Sequence, residues 1–295
     1  MKIRGIPRAL FGTLLLSGIV TTSWAAQPPG PPPPRSAREG AQADFTGNWV
    51  AQVTEDWRWR MLTAPIGDFQ GVPLNAAGVE LGKKWNLAAD NASGAQCKAW
   101  GAGGIMRQPT RLRVSWVDDS SLKFETDSGQ QTRVFNFGRP AQAAGQRTLQ
   151  GNSVAQWMRP PPVQGANQLN QQVGLPGTGG AAAAPRPPQA SVARGSLKVV
   201  TTNLTAGYLR RNGAPYSENA VVTEYYDRVT LFGADYMNVV TIVDDPTYLR
   251  MPFVVSNHFK LEPDGSKWNP VPCLTDPPGN TSPPVGNFGV QGAPN

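Results

Sequence analysis

Histidine is almost missing from this chain: His258 is the only one in 295 residues. A lone imidazole cannot build the usual transition-metal sites, and no thiolate cluster stands in for the missing partners. A Ser-His-Asp constellation lacks its Gly-x-Ser-x-Gly elbow. Phe253, Val255, Phe259 and Leu261 alternate as one apolar face, so His258 is expected opposite them, at a surface or rim. Cysteine occurs twice, at Cys97 and Cys273. No Cys-x-x-Cys spacing exists, which argues against thiol redox chemistry. The pair is either a disulfide or two buried thiols, and the disulfide is the expectation in an oxidising compartment. No run of Lys and Arg tracks a phosphate backbone, so no nucleic-acid partner is expected. Gly101–Gly104 lacks the Lys-Ser/Thr of a phosphate loop. Asp118-Asp119 and Asp244-Asp245 lack the spaced oxygens of a calcium loop and read as turns. No cofactor, metal or catalytic residue is assigned.

What is present begins with an export signal. Lys2, Arg4 and Arg8 precede the apolar run Leu10–Val20, and Ser23-Trp24-Ala25 supplies the small residues at which a signal peptidase cuts. The run is too short to span a bilayer. Residues 1–25 are therefore expected to be removed, leaving a periplasmic or secreted protein with no lipid-bearing Cys at its start and no integral membrane segment. Three of the 27 basic residues leave with the leader, and net charge falls from +7 to +4.

Proline, glycine and alanine mark three segments with too little apolar surface to offset ordering entropy. These are a Pro-rich tether at 26–43, an insertion at 159–195 and a tail at 276–295. Between them, period-2 runs bounded by turn signals predict strands. The first set is Gly47–Val53, Trp57–Leu62, Arg111–Val117, Ser121–Thr126, Gln131–Phe137 and Arg147–Gln156. The second is Leu197–Leu204, Ala220–Leu231, Met237–Val243 and Phe253–Leu261. Asn75–Trp85 is the best helix, with Asn75 as its cap and Val79 and Trp85 inward. The expected fold is mostly β: one antiparallel barrel domain over 44–275, with one or two short helices and the 159–195 insertion as a loop within it.

Phe45-Thr46-Gly47-Asn48-Trp49 resembles the Gly-x-Trp opening of the lipocalin-type barrel. The resemblance implies that Trp49 packs inside the barrel and closes its base. Longer stretches resemble a family of uncharacterised exported bacterial proteins with the same presumed barrel. They are Val53–Arg60, Leu197–Asn203, Gly207–Gly213, Thr241–Pro246 and Asp264–Pro270. That likeness covers both halves of the chain and implies fold and compartment, not chemistry.

Two stretches carry the candidate binding residues. Trp57-Arg58-Trp59-Arg60, read as a strand, sends two indoles to one face and two guanidiniums to the other. The indoles would be core, or would line an apolar pocket; the reverse orientation would give an anion site. In Val222–Arg228, Glu224, Tyr226 and Arg228 share a face. Glu224 and Asp227 point apart and cannot act as an acid/base pair, which leaves a cross-strand ion-pair ladder as the simpler meaning. The candidate ligand-binding set is Trp49, Trp57, Trp59, Glu224, Tyr226 and Arg228. Nine tryptophans and few charges point to a barrel holding a hydrophobic or aromatic small molecule. The alternatives are an envelope protein recruiting a partner through its Pro-rich segments, and an isomerase or hydrolase using Glu224, Tyr226 or His258.

Overall fold

A computed structural model describes residues 36–138, 145–158 and 196–276. The expected leader, the first ten residues of the tether, the 159–195 insertion and nearly all of the tail lie outside the described residues. No described helix is long and apolar enough to cross a membrane.

Among the described residues eleven strands form in chain order: β1 Gly47–Gln52, β2 Arg111–Asp118, β3 Ser121–Thr126, β4 Thr132–Phe137, β5 Asn152–Met158, β6 Ser196–Thr202, β7 Gly207–Tyr208, β8 Pro215–Tyr216, β9 Val221–Leu231, β10 Ala234–Asp244 and β11 Phe253–Glu262. Nine close a barrel in the order β1-β11-β10-β9-β6-β5-β4-β3-β2, and β7-β8 is a separate small hairpin. Alternation explains the strands. In β3 Leu122, Phe124 and Thr126 are buried while the residues between them are half-exposed. Register is fixed by the same pattern, with Trp49 opposite both Leu261 and Leu112. The long hairpin β9–β10 turns through Phe232-Gly233, both at positive φ (51° and 76°), as a two-residue turn matching strand twist requires.

Two expectations need correcting. The barrel is mixed, because β4 and β5 pair in parallel, Phe135 beside Ser153. Trp57–Arg60 is not a strand but one helical turn, α1, with Arg60 N–H donating to Asp56 C=O at 3.0 Å. Among the described residues the helices number three, not one or two: α2 Ala76–Lys83 and α3 Leu87–Ala92 follow. Asn75 caps α2 as expected, accepting from Gly78 N–H at 2.9 Å, and its amide donates to Thr247 C=O.

The middle of the barrel is filled by touching rings. Phe124 and Phe135 lie 4.6 Å apart, and Tyr226 sits 5.3 and 5.5 Å from them. At one end Trp49 is fully buried beneath Phe45, whose carbonyl its indole N–H reaches at 2.9 Å. At the other end the segment from β1 to β2, together with β7–β8, forms a cap. Phe69, Leu74, Leu209 and Tyr216 from the cap share a core with Val222, Val243 and Phe253 from the strand ends. The Cys97–Cys273 disulfide exists as expected, tying this cap to the last described stretch.

Candidate functional site

The six sequence-predicted binding residues do not form one site. Glu224 and Tyr226 lie inside the barrel, where Glu224 is engaged. Arg133 on β4 holds it bidentately, Nη1 to Oε1 at 2.9 Å and Nη2 to Oε2 at 2.6 Å, and Nη2 also donates to Thr201 at 3.2 Å. The side chains are 1% and 0% exposed. Burial alone pulls the Arg133 guanidinium's pKa down, but the Glu224 charge, helped by Tyr226, outweighs it and the net direction is upward. Burial likewise holds the Tyr226 phenol well above its usual range. In place of the expected cross-strand ladder, Glu224 is paired across the barrel with Arg133 of the non-adjacent β4, and a separate outer pair joins Arg228 to Asp235 at 2.8 Å on the β9–β10 hairpin. Arg228 also lies 5.7 Å over the Trp49 ring, at the end away from the cap.

Trp57 and Trp59 are in the cap, on α1. Trp57 is 41% exposed. Trp59 is half-buried between two guanidiniums, Arg58 at 5.5 Å and Arg210 at 4.6 Å from its ring centre. Alternating faces do not exist there, so neither the indole-in nor the arginine-in orientation applies. His258 is half-exposed, its Nε2 3.9 Å from Glu55. Among the described residues, no group of three or more His, Cys, Asp and Glu is placed to hold a metal ion.

A cavity of about 280 Å³ opens elsewhere in the cap, between α2–α3 and the β7–β8 hairpin. Trp85, Tyr208, Tyr216 and Tyr248 wall it with rings, Leu81 and Ala89 add apolar surface, and Lys84 and Lys98 supply charge. Asp90 organises this wall. Buried on α3, it accepts from Trp85 Nε1 at 2.8 Å, Tyr208 hydroxyl at 2.8 Å and Lys98 Nζ at 3.1 Å, pulling three cap elements onto one carboxylate. Trp85 and Tyr208 meet edge to face at 6.3 Å. Burial, then the bond to Asp90, raises the Tyr208 pKa, so the phenol stays protonated as a donor. Burial also raises the Tyr216 pKa; this ring backs the cavity wall while its hydroxyl is fully buried against Gly207.

Glycine makes the wall possible. At Gly213, φ is +81° and a Cβ would stand 2.3 Å from Trp85 Cγ. At Gly207 a Cβ would stand 2.4 Å from the Tyr216 hydroxyl. Sequence reasoning missed Asp90, Tyr208 and Tyr216 as pocket residues, although Gly207–Gly213 was visible as a distinctive stretch. Its two bracketing glycines are the signal of close backbone approach that could have found the pocket. Comparison with family models, with curated proteins and with solved structures found no match.

Proposed function

We propose that the chain is an exported, lipocalin-like binding protein that takes a small hydrophobic or aromatic molecule at the capped end of its barrel. One observation carries the reading: the cavity between α2–α3 and β7–β8, walled by Trp85, Tyr208, Tyr216 and Tyr248. Its volume of about 280 Å³ is at the small end for ligand sites and suits an aromatic molecule of up to three rings. The barrel centre supports the reading less well, since Phe124, Phe135 and Tyr226 lie against one another there. The Lys84 and Lys98 ammoniums are the polar groups that would orient a ligand. Export is supported by the leader-like N-terminus and by the long-range disulfide.

The test is a titration with a neutral aromatic probe, N-phenyl-1-naphthylamine, followed by its fluorescence. Ala89 lines the cavity from an exposed position on α3, so Ala89→Trp fills the space without disturbing the core. Saturable probe binding that Ala89→Trp abolishes is the expected result. Binding that is absent in the parent chain, or unchanged in Ala89→Trp, overturns the reading.

A further inference from the structure

The cap holds a second feature, built from residues that do not line the ring-walled cavity. Arg60 of α1, Arg107 of the cap's second 3-10 turn, and Arg210 of the loop are only 2%, 4% and 4% exposed. Each is partly engaged. Arg60 donates from Nε to Arg107 C=O at 2.9 Å and from Nη1 to Glu55 at 2.5 Å. Arg107 Nη1 meets Asp56 at 3.0 Å, and Arg210 Nη1 meets Gln70 C=O at 2.6 Å. Each then keeps a buried donor with no acceptor: Arg60 Nη2, Arg107 Nη2 and Arg210 Nε. The buried indole Nε1 of Trp59, on whose ring Arg210 lies, is a fourth.

Charge points the same way. Arg211, whose Nη2 donates to Arg60 C=O at 2.7 Å, is a further buried cation, but Asp276 opposes its charge, so the excess rests on Arg60, Arg107 and Arg210. Glu55 and Asp56 oppose this group from positions about one-third exposed, and Asp68 is taken by Arg58. Burial lowers the Arg60, Arg107 and Arg210 pKa values, and Arg107 depresses both of the others; Arg210 is pushed down to about 10. Buried cations in excess of their carboxylates are costly unless another anion completes them. Orphaned guanidinium donors suit an oxyanion, which they can grip at two oxygens.

We propose that Arg60, Arg107 and Arg210, with Trp59 Nε1, form a binding site for a small oxyanion: a carboxylate or phosphate group. The ring of Phe253, 5.6 Å from the Arg107 guanidinium, gives the site an apolar flank.

The test uses the full chain and two non-aromatic probes, inorganic phosphate and acetate, by calorimetry and by thermal melting at ionic strength held constant with chloride. At least one probe binds saturably and raises Tm, and which one does so distinguishes the two sources of the group. Arg107→Gln and Arg210→Gln weaken it by at least about tenfold. Trp59→Phe, which keeps the ring and removes only the N–H, weakens it less. Arg113→Gln, an exposed arginine resting on Trp268, leaves it unchanged. The proposal is overturned if neither probe does more than chloride, since the arginines are then structural. Binding that survives both glutamine substitutions overturns it equally. Neutral-probe binding in the other cavity persists in the arginine variants, so the two readings fail separately.

Discussion

Glu224→Gln should cost the protein about 3–5 kcal/mol, the loss expected when one partner of a buried ion pair is removed. Arg133 and Glu224 are 1% and 0% exposed, so water cannot replace either partner. Removing the carboxylate charge leaves the guanidinium buried, with the bond to Thr201 and a neutral amide as its remaining partners. Against a total stability of about 5–15 kcal/mol the variant is folded but crippled. Arg133→Met should cost a similar amount. The double variant Arg133→Met/Glu224→Leu should recover most of the loss, because apolar side chains of similar size carry no desolvation penalty. Urea midpoints followed by Trp emission for Arg133→Met, Glu224→Leu and their combination give the double-mutant cycle, in which the two single losses together should exceed the double loss by about 5 kcal/mol. A coupling near zero, or a Glu224→Gln loss below about 1 kcal/mol, would refute the claim that the pair works as a dry structural tie. It would also reopen Glu224 as a group free for binding or chemistry.

Three further outcomes follow from the cap and the tyrosines. Replacing Cys97 and Cys273 with Ser removes a link across 176 residues; the chain-entropy relation puts the loss near 5 kcal/mol, read as a fall in the urea midpoint. Gly213→Ala should cost about 2–5 kcal/mol and alter the near-ultraviolet signal of Trp85, since the new methyl meets the indole at an unfavourable φ; a loss below about 1 kcal/mol contradicts the packing described. Tyr208, Tyr216 and Tyr226 all sit above the usual phenol range, first because of burial. Their contribution to stability is intact below the unfolded pKa of about 10 and drains as pH rises above it, by up to about 1.4 kcal/mol per unit for each. Arg210, lowered to about 10 mainly by burial, works against that slope. Phenolate absorbance should therefore show three of the six tyrosines ionising only as the chain unfolds.

Strands were legible wherever one face is buried. Ser121–Thr126 matches its expected bounds, and the expected Phe253–Leu261 run ends one residue short of β11. The alternation is the imprint of the barrel wall on the sequence. The same rule misled at Trp57–Arg60, where W-R-W-R has period 2 by composition while its environment is a cap. There Arg60 is held by Arg107 C=O and Glu55, and tertiary bonds decide the helical turn. Strand direction leaves no mark in side-chain period, so the parallel β4–β5 pair was invisible. Arg133 and Glu224 meet across 91 residues, and nothing local to either announces the other. The pocket was hidden similarly: Asp90 is one polar residue in a short helix until Trp85, Lys98 and Tyr208 converge on it.

The central claim is that ligand binds in the cap beside the barrel, not among the rings within it. A crystal structure of the full chain soaked with N-phenyl-1-naphthylamine tests this most directly. The account predicts the probe between α3 and the β7–β8 hairpin, stacked against Trp85 and Tyr208. A probe seated between Phe124, Phe135 and Tyr226 would contradict it.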